Sequence, residues 1–211
     1  MKLLDWLQEW CILRHIKHEG INLSEVINID TIDNPGWYIT INIDCSNFEI
    51  KTFNILNIDN GDDDWISIKI NEGVFIGVGD KNKLTYILEF FRKWYKKEKT
   101  DDTITDIEID KNDLLYWIQN NWFCTLDFGW DGMEYHGIKI NMNSNKLWKV
   151  EIELSGTYLE EKEFNNINIH KNDNDWVNIN VSNNIFKGSG DKDKLVFIVA
   201  KFKEWAEMFK N

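Results

Sequence analysis

Hydrophobic residues recur along this chain at two different spacings, and each spacing predicts one kind of element. Trp37, Ile39, Ile41 and Ile43 occupy every second position between polar residues. This alternation is typical of a strand with one buried and one solvated face, as in an antiparallel sheet. Apolar residues at spacings of three and four instead predict helices with one buried side. Such spacings occur in 3–11, 84–94, 114–122 and 195–205.

The strand and helix patterns follow the same order twice. Strands are predicted at 26–32, 37–44, 52–59, 65–70 and 73–78 in the first half, and at 137–143, 148–154, 163–170, 176–181 and 184–189 in the second. Each half therefore has the order helix, about five strands, helix. We predict an α+β fold in which each half forms an antiparallel sheet, with its N-terminal and C-terminal helices covering the apolar face.

The two halves also share residues at a constant offset of 111 positions. The matching pairs, which need no gap, include Trp37 and Trp148, Asp64-Trp65 and Asp175-Trp176, and Gly77-x-Gly79-Asp80-Lys81 and Gly188-x-Gly190-Asp191-Lys192. A tandem duplication explains this pattern, since a unit of about 95 residues can bury its own core. We predict a first repeat at 1–98, an acidic linker at 99–111 and a second repeat at 112–211.

The chain is acidic, with a formal net charge of -12, and Arg14 and Arg92 are its only arginines. Direct binding to nucleic acid is not expected, because it requires a basic face. The charge could attract a basic partner, or it could simply keep the protein soluble. No apolar stretch approaches the roughly 20 residues that span a bilayer, and the N-terminus lacks the pattern of a signal peptide. We expect a cytoplasmic protein that does not bind membranes.

Few residues suit catalysis or metal binding. Cys11, Cys45 and Cys124 are not duplicated and show neither a disulfide framework nor metal-ligand spacing. His15-x-x-His18 is half of a metal site, but no second pair completes it. The motifs of common nucleophiles and kinases are missing from the sequence. We therefore predict no catalytic residues, no metal and no cofactor.

The two best-preserved blocks each permit a structural and a functional interpretation. Glycines before a helix could bind a phosphate through backbone N–H groups, but Asp80 and Asp191 place a carboxylate there, so we predict a turn with these residues as helix N-caps. Asp62-Asp63-Asp64 could bind calcium, but the ligand order of an EF-hand is missing, and a hairpin turn is favoured.

Trp65 and Trp176 follow these acidic turns and alternate with the apolar positions of their strands. They are therefore expected on the face of the sheet that points away from the core. An outward tryptophan beside carboxylates is a candidate anchor for a protein interface. The alternative is that each tryptophan only covers an edge of the sheet.

Several of these motifs together resemble the immunity protein 53 family. The resemblance is carried by Leu3-Leu4-Asp5-Trp6-Leu7-Gln8-Glu9-Trp10, Asp33-Asn34-Pro35-Gly36-Trp37, Asp64-Trp65 and Phe75-x-Gly77-x-Gly79, and it extends over nearly all of each repeat. It implies a small bacterial α+β protein of a polymorphic toxin system, encoded beside a toxin that it neutralises.

The two repeats retain different parts of this pattern. The second has Asp127-Phe128-Gly129-Trp130-Asp131-Gly132-Met133-Glu134-Tyr135-His136-Gly137, where the first differs; the first has Asn34-Pro35-Gly36-Trp37, where the second reads Asn145-Lys146-Leu147-Trp148. The differences are concentrated in 14–36 and 125–147. Polar and aromatic residues that core periodicity does not explain are found in the second of these stretches.

These observations give one leading hypothesis and two alternatives. The leading hypothesis is an immunity protein that binds a cognate, basic toxin domain stoichiometrically and covers its active or substrate-binding surface. The residues expected to bind the partner are Trp130, Asp131, Glu134 and His136, with Trp65, Trp176, Asp62 and Asp64 in support. The first alternative is a carbohydrate- or peptide-binding module that uses exposed aromatic residues. An enzyme is the second, and duplication without paired catalytic residues disfavours it.

Overall fold

Each repeat folds as one helical segment, five strands and a closing helix. The computed structural model describes residues 1–13, 25–33, 35–43, 53–96, 107–126 and 137–210. The first repeat contains α1 (Leu3–Leu13), β1 (Glu25–Ile32), β2 (Gly36–Asn42), β3 (Phe53–Asp59), β4 (Trp65–Asn71), β5 (Val74–Asp80) and α2 (Leu84–Lys96). The predicted element order is confirmed for this repeat.

The second repeat has the same order with a less regular first helix. It contains α3 (Leu114–Trp117), β6 (Ile138–Asn143), β7 (Trp148–Glu153), β8 (Ile167–Asn172), β9 (Asp175–Ser182), β10 (Ile185–Gly190) and α4 (Leu195–Met208). A π-helical turn (Ile118–Trp122) and a 3-10 turn (Phe123–Thr125) continue α3. The strand predicted from 163 begins only at Ile167, because Phe164 packs against Phe186 and Trp205, and the Glu163 carbonyl accepts the Trp205 indole N–H at 3.0 Å.

All ten strands belong to one antiparallel sheet, in the order β3-β4-β5-β2-β1-β6-β7-β10-β9-β8. The two repeats meet at its centre, where β1 pairs with β6 and Ile29 lies opposite Ile140. These two isoleucines are equivalent positions of the repeats. An approximate two-fold axis therefore passes between them, as in the self-complementary interface of a symmetric dimer.

The hydrophobic core lies between the helices and one face of the sheet. Phe75 of β5 packs on Phe91 of α2 with 4.9 Å between ring centroids, and the equivalent pair, Phe186 and Phe202, is separated by 5.0 Å. Gly77 allows the closing helix to approach the strand, because a Cβ atom there would lie 2.3 Å from Cγ2 of Ile87. The predicted α+β packing is confirmed.

The first helical segment of each repeat contacts the closing helix of the other through a glutamine. Gln119 Oε1 accepts the Thr85 backbone N–H at 2.9 Å and the Thr85 hydroxyl at 3.1 Å. Gln8, its equivalent in the first repeat, accepts the Val196 N–H at 3.1 Å. Each glutamine satisfies an N–H group in the first turn of α2 or α4, which would otherwise lack a partner within the helix.

A buried carboxylate connects the two first helices as well. Asp113 is 2% exposed, and its Oδ2 accepts the Leu3 and Leu4 N–H groups at 2.6 and 3.2 Å. Its Oδ1 accepts the Leu115 N–H at 2.8 Å. One side chain therefore caps α1 and α3 together.

The prediction that Asp80 and Asp191 are helix N-caps was wrong. Lys194 occupies the N-cap of α4 and makes no side-chain capping bond, and α2 begins at Leu84, four residues after Asp80. At this distance the two carboxylates reach the preceding turn and the neighbouring strand instead of the helix.

Candidate functional site

The face of the sheet opposite the core carries no helix among the described residues, and we call it the open face. Its side chains occupy the strand positions that alternate with the buried ones. In the first repeat these include Trp65, Ser67, Lys69, Tyr38, Thr40, Ile76 and Val78, and in the second Trp176, Asn178, Asn180, Lys149, Glu151, Lys187 and Ser189. The open face therefore carries strand residues that the core does not require.

Trp65 lies near one edge of the open face, in an acidic groove. It is half-buried and pairs across the strands with the exposed Asp59. A groove of about 360 Å³ is lined by Asp59, Asp62 and Trp65, together with Asn57 and Ser67. The structure thus brings Asp62 and Trp65 together, as the sequence predicted.

Asp64 forms an ion pair with Lys83 that stabilises the turn before β4. Its Oδ1 lies 2.6 Å from Nζ of Lys83, which also lies 3.5 Å from Asp80. Hydrogen bonds from Lys83, the larger contribution, and from Asn60 hold the pKa of the Asp64 carboxyl below its ordinary value. The second repeat has the same pair, Asp175 and Lys194, also at 2.6 Å. Both repeats therefore use this aspartate to hold the turn before the strand.

The glycine-containing loop is explained by a buried carboxylate. Asp80 is 1% exposed, and it accepts the backbone N–H groups of Trp65 and Asn82 at 3.0 and 2.8 Å. Asp191 accepts the equivalent groups of Trp176 and Asp193 at 2.7 and 2.9 Å. In each loop the carboxylate thus bonds an N–H group of the turn that follows the glycines, which supports the prediction of a turn but not the prediction of a helix N-cap.

Trp176 occupies the symmetric position near the opposite edge. It is half-buried and pairs with the exposed His170 on β8. Seven strand spacings separate β4 from β9, so the two tryptophans are roughly 34 Å apart for a spacing of about 4.8 Å. A single small domain would have to cover most of the open face to contact both.

A second groove, of about 490 Å³, lies at the centre of the open face where the repeats meet. We call it the junction groove. Its charged or polar lining residues include Asp30, Tyr38, Lys139, Glu151, Glu153 and Lys187, and Ile32, Ile138 and Ile185 contribute apolar surface. Lys139 lies 3.6 Å from Asp30, and Glu151 lies 2.8 Å from Lys149. This groove combines residues of both repeats.

Sequence reasoning missed the junction groove and its charged residues. A signal was present, because Lys149, Glu151 and Glu153 occupy outward positions where the first repeat has Tyr38, Thr40 and Asn42. Trp130, Asp131, Glu134 and His136, the main predicted contacts, lie outside the described residues. They precede Gly137 in the sequence, and Gly137 lines this groove.

Two cysteines and the described helices were the remaining candidates for catalysis and for membrane insertion. Burial raises the pKa of the Cys124 thiol to about 11, so this thiol stays protonated at neutral pH and is a poor nucleophile. Cys11 is buried. Among the described helices, none combines the length and apolar character needed to cross a membrane.

Comparison with known proteins identifies the family. A family model described as immunity protein 53 matches the chain twice, at residues 4–96 and 115–207. The two matches coincide with the two repeats and together cover most of the chain. Neither a search of curated proteins nor a search of solved structures returned a match. The chain belongs to the immunity protein 53 family and contains two tandem copies of its domain.

Proposed function

We propose that this protein neutralises a cognate bacterial toxin in the cytoplasm by binding it stoichiometrically and covering a surface that the toxin needs. Family membership supports a toxin partner. The observation that carries the mechanism is the open face, which presents carboxylates and half-buried tryptophans without a covering helix in the described part of the chain. Such a surface is suited to binding a protein.

Charge favours a basic toxin surface as the target. The chain has a formal net charge of -12, and Asp59 and Asp62 lie beside Trp65 in one groove. Opposite charge accelerates the encounter of two proteins and weakens as salt is added. A tryptophan that becomes fully buried on binding supplies apolar contact at the centre of an interface.

The proposal assigns the partner contacts to Trp130, Asp131, Glu134 and His136, with Trp65, Trp176, Asp62 and Asp64 in support. Some of these residues also stabilise the fold, and others do not. Asp62 is exposed and available to a partner. Asp64 already holds Lys83, so its substitution tests folding and binding together. Trp65 and Asp62 are therefore the most informative described positions.

The test is protection of cells that express the toxin encoded by the neighbouring gene. The unmodified chain should protect, and titration of purified toxin activity should end at a fixed molar ratio. Trp130→Ala, Glu134→Ala and Trp65→Ala should each reduce protection. Lys69→Ala is the matched control, because Lys69 is exposed on the same strand and face as Trp65.

Two results would contradict the proposal. Complete inhibition by far less than one chain per toxin molecule would indicate turnover, which belongs to an enzyme. Full protection by all three variants would remove their side chains from the binding surface.

A further inference from the structure

We propose that the junction groove is the toxin-binding site, that it receives a toxin segment with a basic side chain beside a carboxylate or carbonyl group, and that each chain binds one toxin molecule. This inference rests on the proposed function and makes it more specific. It follows from the charges in the groove, from the neutral residues at the equivalent positions across the two-fold axis, and from two lining residues that belong to the stretches where the repeats differ most.

Five residues of the groove form a continuous row across the sheet. Direct cross-strand partners run from Tyr38 to Asp30, Lys139, Glu151 and Lys187 on five adjacent strands. Cross-strand partners lie on the same face. Positive and negative charges alternate along this row, and the Asp30–Lys139 ion pair satisfies its first half.

Two charges of opposite sign remain without an ion pair in the described residues. Glu153 lies one row further, opposite Ile185, and no lysine or arginine of the described chain lies within ion-pair distance of it. Lys187 likewise has no aspartate or glutamate of the described chain within ion-pair distance. Both residues line the groove. A partner can therefore add two charged contacts without breaking one that already exists.

The lining around Glu153 suits a lysine or arginine side chain. Ile32 and Ile185 provide apolar surface for its aliphatic stem, and the carboxylate can accept charge-assisted hydrogen bonds from its end. Tyr38 is 37% exposed, but it lies on β2, three strands away from β7, and therefore at the other end of the groove. Lys187 requires an acceptor from the partner, which a carboxylate or backbone carbonyl next to that residue would supply.

The equivalent positions across the two-fold axis carry neutral residues. There the five charged residues correspond to neutral ones: Asp30 to Asn141, Lys139 to Asn28, Glu151 to Thr40, Glu153 to Asn42 and Lys187 to Ile76. Asn28 and Asn141 are each 8% exposed, whereas the side chains of Lys139 and Asp30 are 45% and 26% exposed. These side chains break the two-fold symmetry of the backbone, so that among the described residues this set of charges occurs once per chain. We therefore expect each chain to bind one toxin molecule.

The groove also lies where the most divergent stretches of the two repeats meet. Pairing of β1 with β6 brings Ile32, from the stretch 14–36, and Gly137, from the stretch 125–147, into one lining. Gly137 is covalently joined to His136, the last of the four residues singled out in that stretch. Divergence at a shared site is expected if only one of two symmetric positions binds the partner.

The experiment measures toxin binding by full-length chains whose groove residues are replaced by those of the symmetric position. Glu153→Asn and Lys187→Ile should each raise the Kd for an inactivated form of the neighbouring toxin domain at least tenfold. Titration calorimetry should give one toxin per unmodified chain. Glu153→Gln, which retains the shape of the side chain, provides a second variant if Glu153→Asn folds poorly.

Matched controls remove the same charges elsewhere. Glu72→Asn and Lys69→Asn introduce the residues that the second repeat has at Asn183 and Asn180, and both positions are exposed. They should leave the Kd within about twofold of the original value.

The possible failures are distinguishable. If the unmodified chain binds no toxin, the proposed function and this inference both fail. If it binds toxin but the folded groove variants bind as tightly as the unmodified chain, only the inference fails. Binding of two toxin molecules per chain would also overturn it.

Discussion

The two faces of the sheet have diverged to different extents between the repeats. Toward the helices, β5 and β10 carry the same residues: Phe75, Gly77 and Gly79 correspond to Phe186, Gly188 and Gly190. On the open face of the same strands, Val74, Ile76 and Val78 correspond to Ile185, Lys187 and Ser189. Close packing restricts one side of each strand to one set of shapes, and the other side has been free to acquire charge.

This comparison predicts that equivalent substitutions on the core side of β5 and β10, and at the aspartates that end these strands, destabilise the two repeats equally, whereas the open face tolerates change. The largest decrease in the free energy of unfolding is expected for Asp80→Ala and Asp191→Ala. Each carboxylate accepts two backbone N–H groups, and each unsatisfied buried group costs about 1–3 kcal/mol. Urea denaturation should show a decrease of about 3 kcal/mol in the free energy of unfolding for either variant. Unequal losses, by more than about 1 kcal/mol, would contradict the equivalence of the repeats.

A smaller decrease in the free energy of unfolding is expected for Gly77→Ala and Gly188→Ala. The new Cβ atoms would lie 2.3 Å from Cγ2 of Ile87 and 2.2 Å from Cγ2 of Ile198. Excess volume in a packed core costs about 1–3 kcal/mol, and we expect about 2 kcal/mol in each repeat. Ser189→Val, on the open side of β10, is the control and should change the free energy of unfolding by less than about 0.5 kcal/mol.

The glutamine contacts should reveal a difference between the repeats. Gln119 accepts two hydrogen bonds and is 3% exposed, whereas Gln8 accepts one and is half-buried. Gln119→Ala should therefore cost about 1.5 kcal/mol and Gln8→Ala about 0.5 kcal/mol, at the upper and lower ends for a net hydrogen bond. Hydrogen exchange of the Thr85 and Val196 amides should increase in the respective variants. Unchanged exchange would show that these contacts do not hold the helix ends.

The smallest effect on stability is expected from the ion pairs that Asp64 and Asp175 form with Lys83 and Lys194 near the surface. Lysine hydrogen bonds lower the pKa of both carboxyl groups. A lowered pKa in the folded state contributes stability above the pKa of an unfolded aspartate, and that contribution is lost as the pH falls through the folded value. Carboxyl NMR titration should give pKa values below the ordinary value for both residues. Lys83→Met should return only the Asp64 value toward normal, and an unaffected Asp64 would exclude Lys83 as the cause.

Local patterns predicted the elements because side-chain alternation and helical spacing are properties of short segments. Trp37, Ile39 and Ile41 are fully buried as expected, and Trp65 lies with Asp62 because one turn joins them. The predicted N-caps of α2 and α4 were wrong because Gln119 and Gln8, which accept N–H groups in the first turns of these helices, belong to the other repeat and have no fixed spacing from the residues that they bond.

The junction groove could not be predicted from such patterns. It depends on the pairing of β1 with β6, which places Asp30 beside Lys139, more than 100 positions away. Buried and exposed residues alternate in the same way along a strand at the edge of a five-stranded sheet and along one at the centre of a ten-stranded sheet. The alternation therefore does not reveal that β1 pairs with β6. The charges of the groove belong to four different strands, so no contiguous motif contains them.

The central β1–β6 pair also determines how the fold responds to protein concentration. A symmetric pair of separate chains exists only while its concentration exceeds the dissociation constant, so each subunit loses its partner on dilution. Here the two halves are segments of one chain, and the tether supplies a local concentration that dilution does not change. The thermal midpoint should therefore be the same over a wide range of protein concentrations. A cell holding very few copies would still contain complete molecules.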